Sequence, residues 1–367
     1  MARSFNKSIS MSNQQINKST DKLFRVKWRS PSNIAIIKYW GKHGRQLPVN
    51  PSISLTLKKS FTELELNVFE KNKAKNEIEF QFLFNGLRNE KFEQRIAAYL
   101  LSVKEDLPFL GDFRFEIQSE NSFPHSSGIA SSASSMSALA LSLVSFAESL
   151  GMHMPSNESQ FASYLSRLAS GSASRSVFGG WSIWGKLKQI EESTDEYAIN
   201  LPFAIHPCFQ TLQDLVLITS STPKKVSSSE GHYKMNSHSF SEARKFQAID
   251  HANKLIPVLQ DGDFESFAQI AESEALSLHA LMLSSEPGYF LVNGRTLQII
   301  DEIRNFREET GIRLCFTLDA GPNVHLLYPL EEKEQIMLFL QEELLGLCEG
   351  GRWLDDGAGD GPIQLID

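Results

Sequence analysis

One stretch limits what this chain can become more than any other: residues 121–135, reading N-S-F-P-H-S-S-G-I-A-S-S-A-S-S. Six of its last ten residues are serine, so nothing bulky keeps an anion off the backbone. Apolar residues then recur at Met136, Leu139, Leu143, Phe146 and Leu150. Those steps of three and four mark one buried helix face, and Gly151 supplies a stop. The pattern predicts a helix over 130–150 entered from a loop of small residues. Free N–H groups at such a helix start, at the positive end of its dipole, make an anion site that suits a nucleotide phosphate. Serine hydroxyls add donors and can ligand a metal. The plainer alternative is a serine-rich, N-capped surface helix. A Walker A loop is not the explanation, because G-x-x-x-x-G-K-[ST] is absent.

Around this loop, alternation of apolar and polar residues predicts half-buried antiparallel strands. They fall at 64–68 (Leu64, Leu66, Val68), 78–84 (Ile78, Phe80, Phe82, Phe84) and 113–117 (Phe113, Phe115, Ile117). Asn85-Gly86 reads as a turn, and 90–104 as a helix. A short helix around Phe161, Leu165 and Leu168 leads into S-G-S-A-S-R-S. Beyond about residue 210 helical spacing dominates, at 240–260, 264–283, 294–307 and 332–345. Strands are expected at 215–219, 313–318 and 324–328. Strands and helices in irregular order mean an α+β fold. The expected division is a flexible tail over 1–22, an N-terminal lobe over 23–205 and a C-terminal lobe over 206–367.

Composition removes several classes of function. A net charge of −8 argues against a broad nucleic-acid surface. Acidic ligands must then be held by a few placed cations. Three cysteines, far apart and without C-x-x-C or zinc spacing, fit a reducing cytoplasm. No 18-residue apolar run exists, so no membrane span is expected. The first twenty or so residues are rich in Ser, Asn, Gln and Lys and lack an apolar h-region. The nine histidines include no H-E-x-x-H, and no G-x-S-x-G elbow occurs, so metal-hydrolase and serine-hydrolase readings have no support.

Four segments, in order over about 290 residues, carry a family resemblance. They are N-I-A-I-I-K-Y-W-G-K (33–42) with L-P-V-N-P-S-I-S (47–54), the serine loop, A-S-G-S-A-S-R-S-V-F-G-G (169–180) and F-T-L-D-A-G-P-N (316–323). The P-x-x-x-G-(I/L)-A-S-S core of the loop resembles the phosphate loop of the GHMP small-molecule kinases. The longer string E-N-S-F-P-H-S-S-G-I-A-S-S-A-S resembles that of the diphosphomevalonate decarboxylases. The resemblance implies a two-lobed GHMP-kinase fold: a first lobe like ribosomal protein S5 domain 2, a ferredoxin-like α+β second lobe, and the active site in the cleft between them. It implies ATP with Mg²⁺ as cofactors, a small-molecule substrate and a homodimer. The implied reaction phosphorylates the 3-hydroxyl of mevalonate 5-diphosphate. Loss of that phosphate and of carbon dioxide then gives isopentenyl diphosphate.

The residues suit such chemistry. Asp319 lies between a strand pattern and Gly321-Pro322, a turn able to aim a carboxylate into a cleft; otherwise it is an Asx-turn aspartate bonded to Gly321. Matched to the family, it orients or deprotonates the 3-hydroxyl. The Arg175 guanidinium can hold a carboxylate bidentately, though an arginine is also commonly a surface ion-pair partner. Lys38, Tyr39 and Lys42 match the family's N-terminal substrate segment, where isolated lysines would merely be solvated. By the same resemblance Lys38 is catalytic, and Asn33, Ser170 and Ser172 contact substrate. ATP falls to Ser126, Ser127, Gly128, Ala130, Ser131, Ser132, Ser135 and Ser229, and Mg²⁺ to Ser132. Ser174 stands where relatives often have Cys, His125 where many have Thr, and Ser229 where Thr is expected. His125 either contacts nucleotide or is a local structural swap. Two other readings compete: a GHMP kinase or decarboxylase acting on mevalonate or mevalonate 5-phosphate, and a non-catalytic small-molecule sensor. Retention of both Asp319 and Arg175 argues against a kinase that stops after phosphorylation, and retention of Asp319 and the loop serines argues against the sensor.

Overall fold

The computed structural model describes residues 22–71, 77–123, 131–222 and 226–366. Residues 1–21 of the expected tail and the loop positions His125, Ser126, Ser127, Gly128 and Ala130 lie outside them, as does the side chain of Ser229, whereas Lys22, placed in the tail, begins a strand. Two strands longer than the sequence pattern suggests form the spine: Lys22–Ala35, 14 residues, and Ser52–Glu70, 19 residues. They run antiparallel in the register Val26↔Leu66 and Arg29↔Glu63. Leu64, Leu66 and Val68 point inward, as the alternation requires. Phe113–Asn121 joins the far side of Ser52–Glu70 antiparallel, with Leu66 opposite Ile117.

The next strand, Glu79–Phe84, pairs with Phe113–Asn121 in parallel, not antiparallel as expected. The helix Glu90–Ser102 between them explains this, since it carries the chain back before the second strand starts. Asn85 and Gly86 make the expected turn, both at positive φ (50° and 74°). The last strand, Ile363–Ile366, pairs with Lys22–Ala35 and so joins the first sheet, although the expected division assigns it to the second lobe.

A second, antiparallel sheet has the order Cys315–Leu318, Val324–Tyr328, Gln213–Leu217, Trp353–Gly357. Helices Phe264–Ser284 and Gly294–Thr310 supply apolar residues to one of its faces. Leu215, Leu217, Phe316 and Leu326 share a core with Ala275, Ile299 and Ile303. Full burial of each large side chain contributes about 1.5–3 kcal/mol. Alternation turns Asp214, Val216, Thr317 and His325 to the opposite face. The helix expected over 332–345 is present and continuous, running as Lys333–Phe339 and then widening into a π turn at Leu340–Leu344.

The helix after the serine loop spans Ser131–Ser149. Met136, Leu139, Leu143 and Phe146 are buried as predicted, whereas Leu150 lies past its end and is exposed. More of the helix is enclosed than one face. Ser134, Ser137 and Ser142 are fully buried, and Ser137 Oγ meets Ser30 Oγ at 2.5 Å. A surface helix is thereby excluded. Among the described residues no helix is long and apolar enough to cross a membrane. Cys208, Cys315 and Cys348 are buried free thiols.

Candidate active site

A cleft of about 550 Å³ takes lining from all four recognised segments. Its floor starts where the first long strand ends. Lys38 follows Ile36 and Ile37, and only 2% of its side chain is exposed. Its main chain is held on both sides. The amide donates to Glu274 Oε2 at 2.8 Å, and the carbonyl accepts from Asn50 Nδ2 at 3.0 Å and Arg244 Nη2 at 3.2 Å. The ammonium has no hydrogen-bond partner and lies 3.6 Å from Asp319 Oδ1. Burial pushes the lysine below its ordinary pKa, while Asp319 and Glu274 pull it back up.

Asp319 owes its position to the turn that follows it. The Gly321 amide donates to the main-chain carbonyl of Asp319 at 2.7 Å, so this bond does not occupy the carboxylate. His279 Nε2 reaches the same carbonyl at 3.0 Å. Downstream, Asn323 Oδ1 accepts from the Thr219 and Ser220 amides, and the Thr219 and Thr296 hydroxyls donate to the Pro322 carbonyl. The turn is therefore braced by its neighbours, and the aspartate side chain is left for the cleft, one-quarter exposed.

Arg175 sits in the short 3₁₀ helix Gly171–Val177 and is buried, which excludes a surface ion pair. One terminal nitrogen donates to Ser52 Oγ, and its Nε has no partner. Burial lowers its pKa to about 10, opposed by the nearby Asp319 charge. It remains a cation at neutral pH, with donor capacity to spare.

The Tyr39 hydroxyl is also buried without a partner. Its ring packs edge-on to Trp184 at 4.7 Å and against His232 at 4.3 Å. Gly171 lies so close to both rings that an added Cβ would come within 2.8 Å of Tyr39 and 2.7 Å of Trp184. That contact explains the glycine in S-G-S. His232 Nδ1 accepts from the Gly41 amide at 2.9 Å, and burial lowers its pKa to about 3. The imidazole is neutral there and ties the helix Ser228–Lys234 to the Lys38–Lys42 segment. Lys42 bonds Gln46 Oε1 at 2.7 Å. Its pKa is lowered by burial and then by Arg95.

Serines link the helix start to the 3₁₀ segment. Ser132 Oγ meets Ser170 Oγ at 3.3 Å, which meets Ser172 Oγ at 3.3 Å. Ser131 Oγ accepts from Asn121 Nδ2, while Ser135 donates to the Ser131 carbonyl. Asn33 braces the 3₁₀ segment, its amide donating to the Ser172 carbonyl and to Ser176 Oγ. Asn33, Tyr39, Lys42, Ser131, Ser132, Ser135, Ser170 and Ser172 thus line one cleft with Lys38, Arg175 and Asp319. No group of three or more His, Cys, Asp or Glu suited to a metal occurs among the described residues.

Sequence reading missed part of this cleft. Phe82, Phe84 and Phe92 form an apolar wall, with ring centroids 6.2 and 5.2 Å apart at steep angles, beside Arg95. The alternating Phe80, Phe82 and Phe84 signalled a strand, but nothing in the spacing showed which face would border a ligand. His232, Glu274 and Arg244 carried no motif at all.

Two family models match the chain. The diphosphomevalonate decarboxylase-like N-terminal domain covers residues 30–197, and the mevalonate 5-diphosphate decarboxylase C-terminal domain covers 214–349. The diphosphomevalonate decarboxylase of Saccharomyces cerevisiae is 30% identical over 338 residues, 88% of this chain and 82% of that protein. The enzyme of Gibberella zeae is 29% identical over 348 residues, 90% and 87% of the two chains. Mevalonate diphosphate decarboxylase from Staphylococcus aureus matches in structure with a TM-score of 0.79 at 29% identity, covering 93% of this chain and 98% of that one. A complex of MDDEF with MVAPP, AMPPCP and magnesium matches with a TM-score of 0.80 at 29% identity, covering 94% and 99%.

Proposed function

The chain belongs to the diphosphomevalonate decarboxylase family, and on that premise we propose how its cleft turns over mevalonate 5-diphosphate. The fold is the GHMP type, and the reaction consumes ATP and yields isopentenyl diphosphate, ADP, phosphate and carbon dioxide. The observation that carries the assignment is the buried Lys38 ammonium, 3.6 Å from the cleft-facing Asp319 carboxylate, in the same cleft as the serine-lined helix start.

Asp319 orients the 3-hydroxyl and accepts its proton as the phosphoryl group arrives. Lys38, 3.6 Å from the Asp319 carboxylate, supplies positive charge where phosphate charge gathers. Arg175, with donor capacity unused by the protein, binds the C1 carboxylate that departs. A tertiary hydroxide is a poor leaving group and phosphate a good one, so transfer must come first. Once the 3-phosphate leaves, electrons from the C1–C2 bond form the new double bond, and carbon dioxide separates.

The residues present fit ATP with Mg²⁺. Ser131, Ser132 and Ser135 surround a helix start that favours phosphate, and the Phe82, Phe84 and Phe92 wall offers an apolar surface for a base. Ser132 would hold magnesium together with the nucleotide's own oxygens, the ion neutralising phosphate charge when bound. The test is carbon dioxide release from mevalonate 5-diphosphate with ATP and Mg²⁺. Release must stop when AMPPCP replaces ATP; release that continues without a transferable phosphate refutes the sequence of steps.

Lys42 grips the diphosphate of the substrate. Lys42→Ala is expected to raise KM for mevalonate 5-diphosphate by about 10- to 100-fold, as for loss of a charge-assisted contact worth roughly 1.5–3 kcal/mol. Steady-state kinetics with each ligand varied in turn checks it, and an equal rise for ATP would move the lysine elsewhere. A homodimer is proposed on the family resemblance. Light scattering at micromolar protein should give about twice the 41.2 kDa chain mass, and a monomer mass would end that proposal.

A further inference from the structure

Behind Lys38, and absent from the cleft lining, a carboxylate is fully buried. Glu274, on the helix Phe264–Ser284, receives both terminal nitrogens of Arg244, at 2.6 and 2.5 Å, and His251 Nδ1 at 2.7 Å. Its remaining bond is the Lys38 amide at 2.8 Å. Arg244 also donates to the Lys38 carbonyl. A buried ion pair of this kind rarely stabilises a fold more than apolar side chains of equal volume would. Here both peptide groups of one functional lysine are its targets, and the pair joins the helices Ser241–Asp261 and Phe264–Ser284 to the segment just after the first strand.

We infer that Glu274 is a positioning residue for phosphoryl transfer: with Arg244 it clamps the Lys38 backbone and so fixes the reach of Nζ to Asp319. The inference rests on the proposed roles of Lys38 and Asp319. Its second effect is electrostatic. The groups facing Lys38 are Asp319 from the D-A-G-P-N turn, Arg175 from the 3₁₀ segment, His325 from the strand Val324–Tyr328, and Glu274 and Arg244 from the two helices. Burial and Arg175 disfavour the ammonium, whereas Asp319 and Glu274 favour it. Removing the charge of Glu274 therefore lowers the lysine's pKa, and the ammonium is lost at lower pH. The alkaline limb of the kcat–pH profile must move down.

Two variants separate the effects. Glu274→Asp keeps the charge but shortens the reach to the Lys38 amide. Its kcat should fall by about 10- to 100-fold, as for a displacement on the order of 1 Å, with KM for ATP and the alkaline limb unchanged. Glu274→Gln keeps an acceptor for that amide but no charge, and its alkaline limb should shift to lower pH. Wild-type kcat in Glu274→Asp, or an unmoved limb in folded Glu274→Gln, overturns the inference. If Glu274→Gln does not fold because Arg244 is left unpaired, Glu274→Asp alone decides. Wild-type protein assayed alongside keeps the failures apart: a wild type that releases no carbon dioxide sinks the functional reading, whereas an active wild type with unaffected variants sinks only the role of Glu274.

Discussion

Asp319→Asn is expected to lower kcat by roughly 10²–10⁴, the loss that follows removal of a positioned acid–base group. The substitution keeps the side chain's shape and leaves the turn intact, because the turn is built from the Asp319 carbonyl, Asn323 and two threonine hydroxyls. What disappears is the proton acceptor and the negative charge 3.6 Å from the Lys38 ammonium. ATP binding should survive, since the serine-lined helix start belongs to a different segment. Calorimetric titration with ATP and Mg²⁺, run beside steady-state kinetics, checks both halves. A variant that turns over at the wild-type rate would reduce the turn to a structural element.

Arg175→Ala comes next in size. Its guanidinium is buried, donates to Ser52, and keeps Nε without a protein partner. In the mechanism proposed above, the C1 carboxylate would complete it. Loss of such a placed donor set should cost kcat about 10²–10³, comparable to removing one donor from an oxyanion hole. The effect should be largely non-additive with Asp319→Asn, because the Arg175 and Asp319 charges interact directly beside the same substrate. Activity of the double variant near that of the worse single variant is the expected result. Full multiplication of the two losses would mean that the residues act independently. A melting curve for each protein is needed beside the kinetics, since the alanine also leaves a cavity.

Much of this site was legible before any coordinates because its chemistry is concentrated in short, unusual strings. The serines before Met136, the S-G-S-A-S-R run and D-A-G-P-N each stand out locally, and the fold brings them to one cleft. The supporting groups follow another logic. Glu274 and Arg244 lie 236 and 206 residues from Lys38 along the chain. Each reads as an ordinary charge on an amphipathic helix until packing encloses it. His232 likewise gains its meaning from being wedged between Tyr39 and Trp40. Strand direction was misjudged for Glu79–Phe84 because alternation reports which face is buried, not which way a neighbour runs. The helix over 332–345 was legible from its apolar spacing, but not its π turn, which changes the hydrogen bonding without disturbing burial of Ile336, Leu340 and Leu344.

In the proposed mechanism one cleft both phosphorylates and decarboxylates the diphosphate substrate. Product stoichiometry tests it most directly, with mevalonate 5-diphosphate and mevalonate 5-phosphate assayed side by side with ATP and Mg²⁺. Equal amounts of ADP, phosphate, carbon dioxide and isopentenyl diphosphate are expected from the 5-diphosphate, and far slower turnover of the 5-phosphate. ADP formed without carbon dioxide would contradict it and make this chain a kinase that stops at the 3-phosphate.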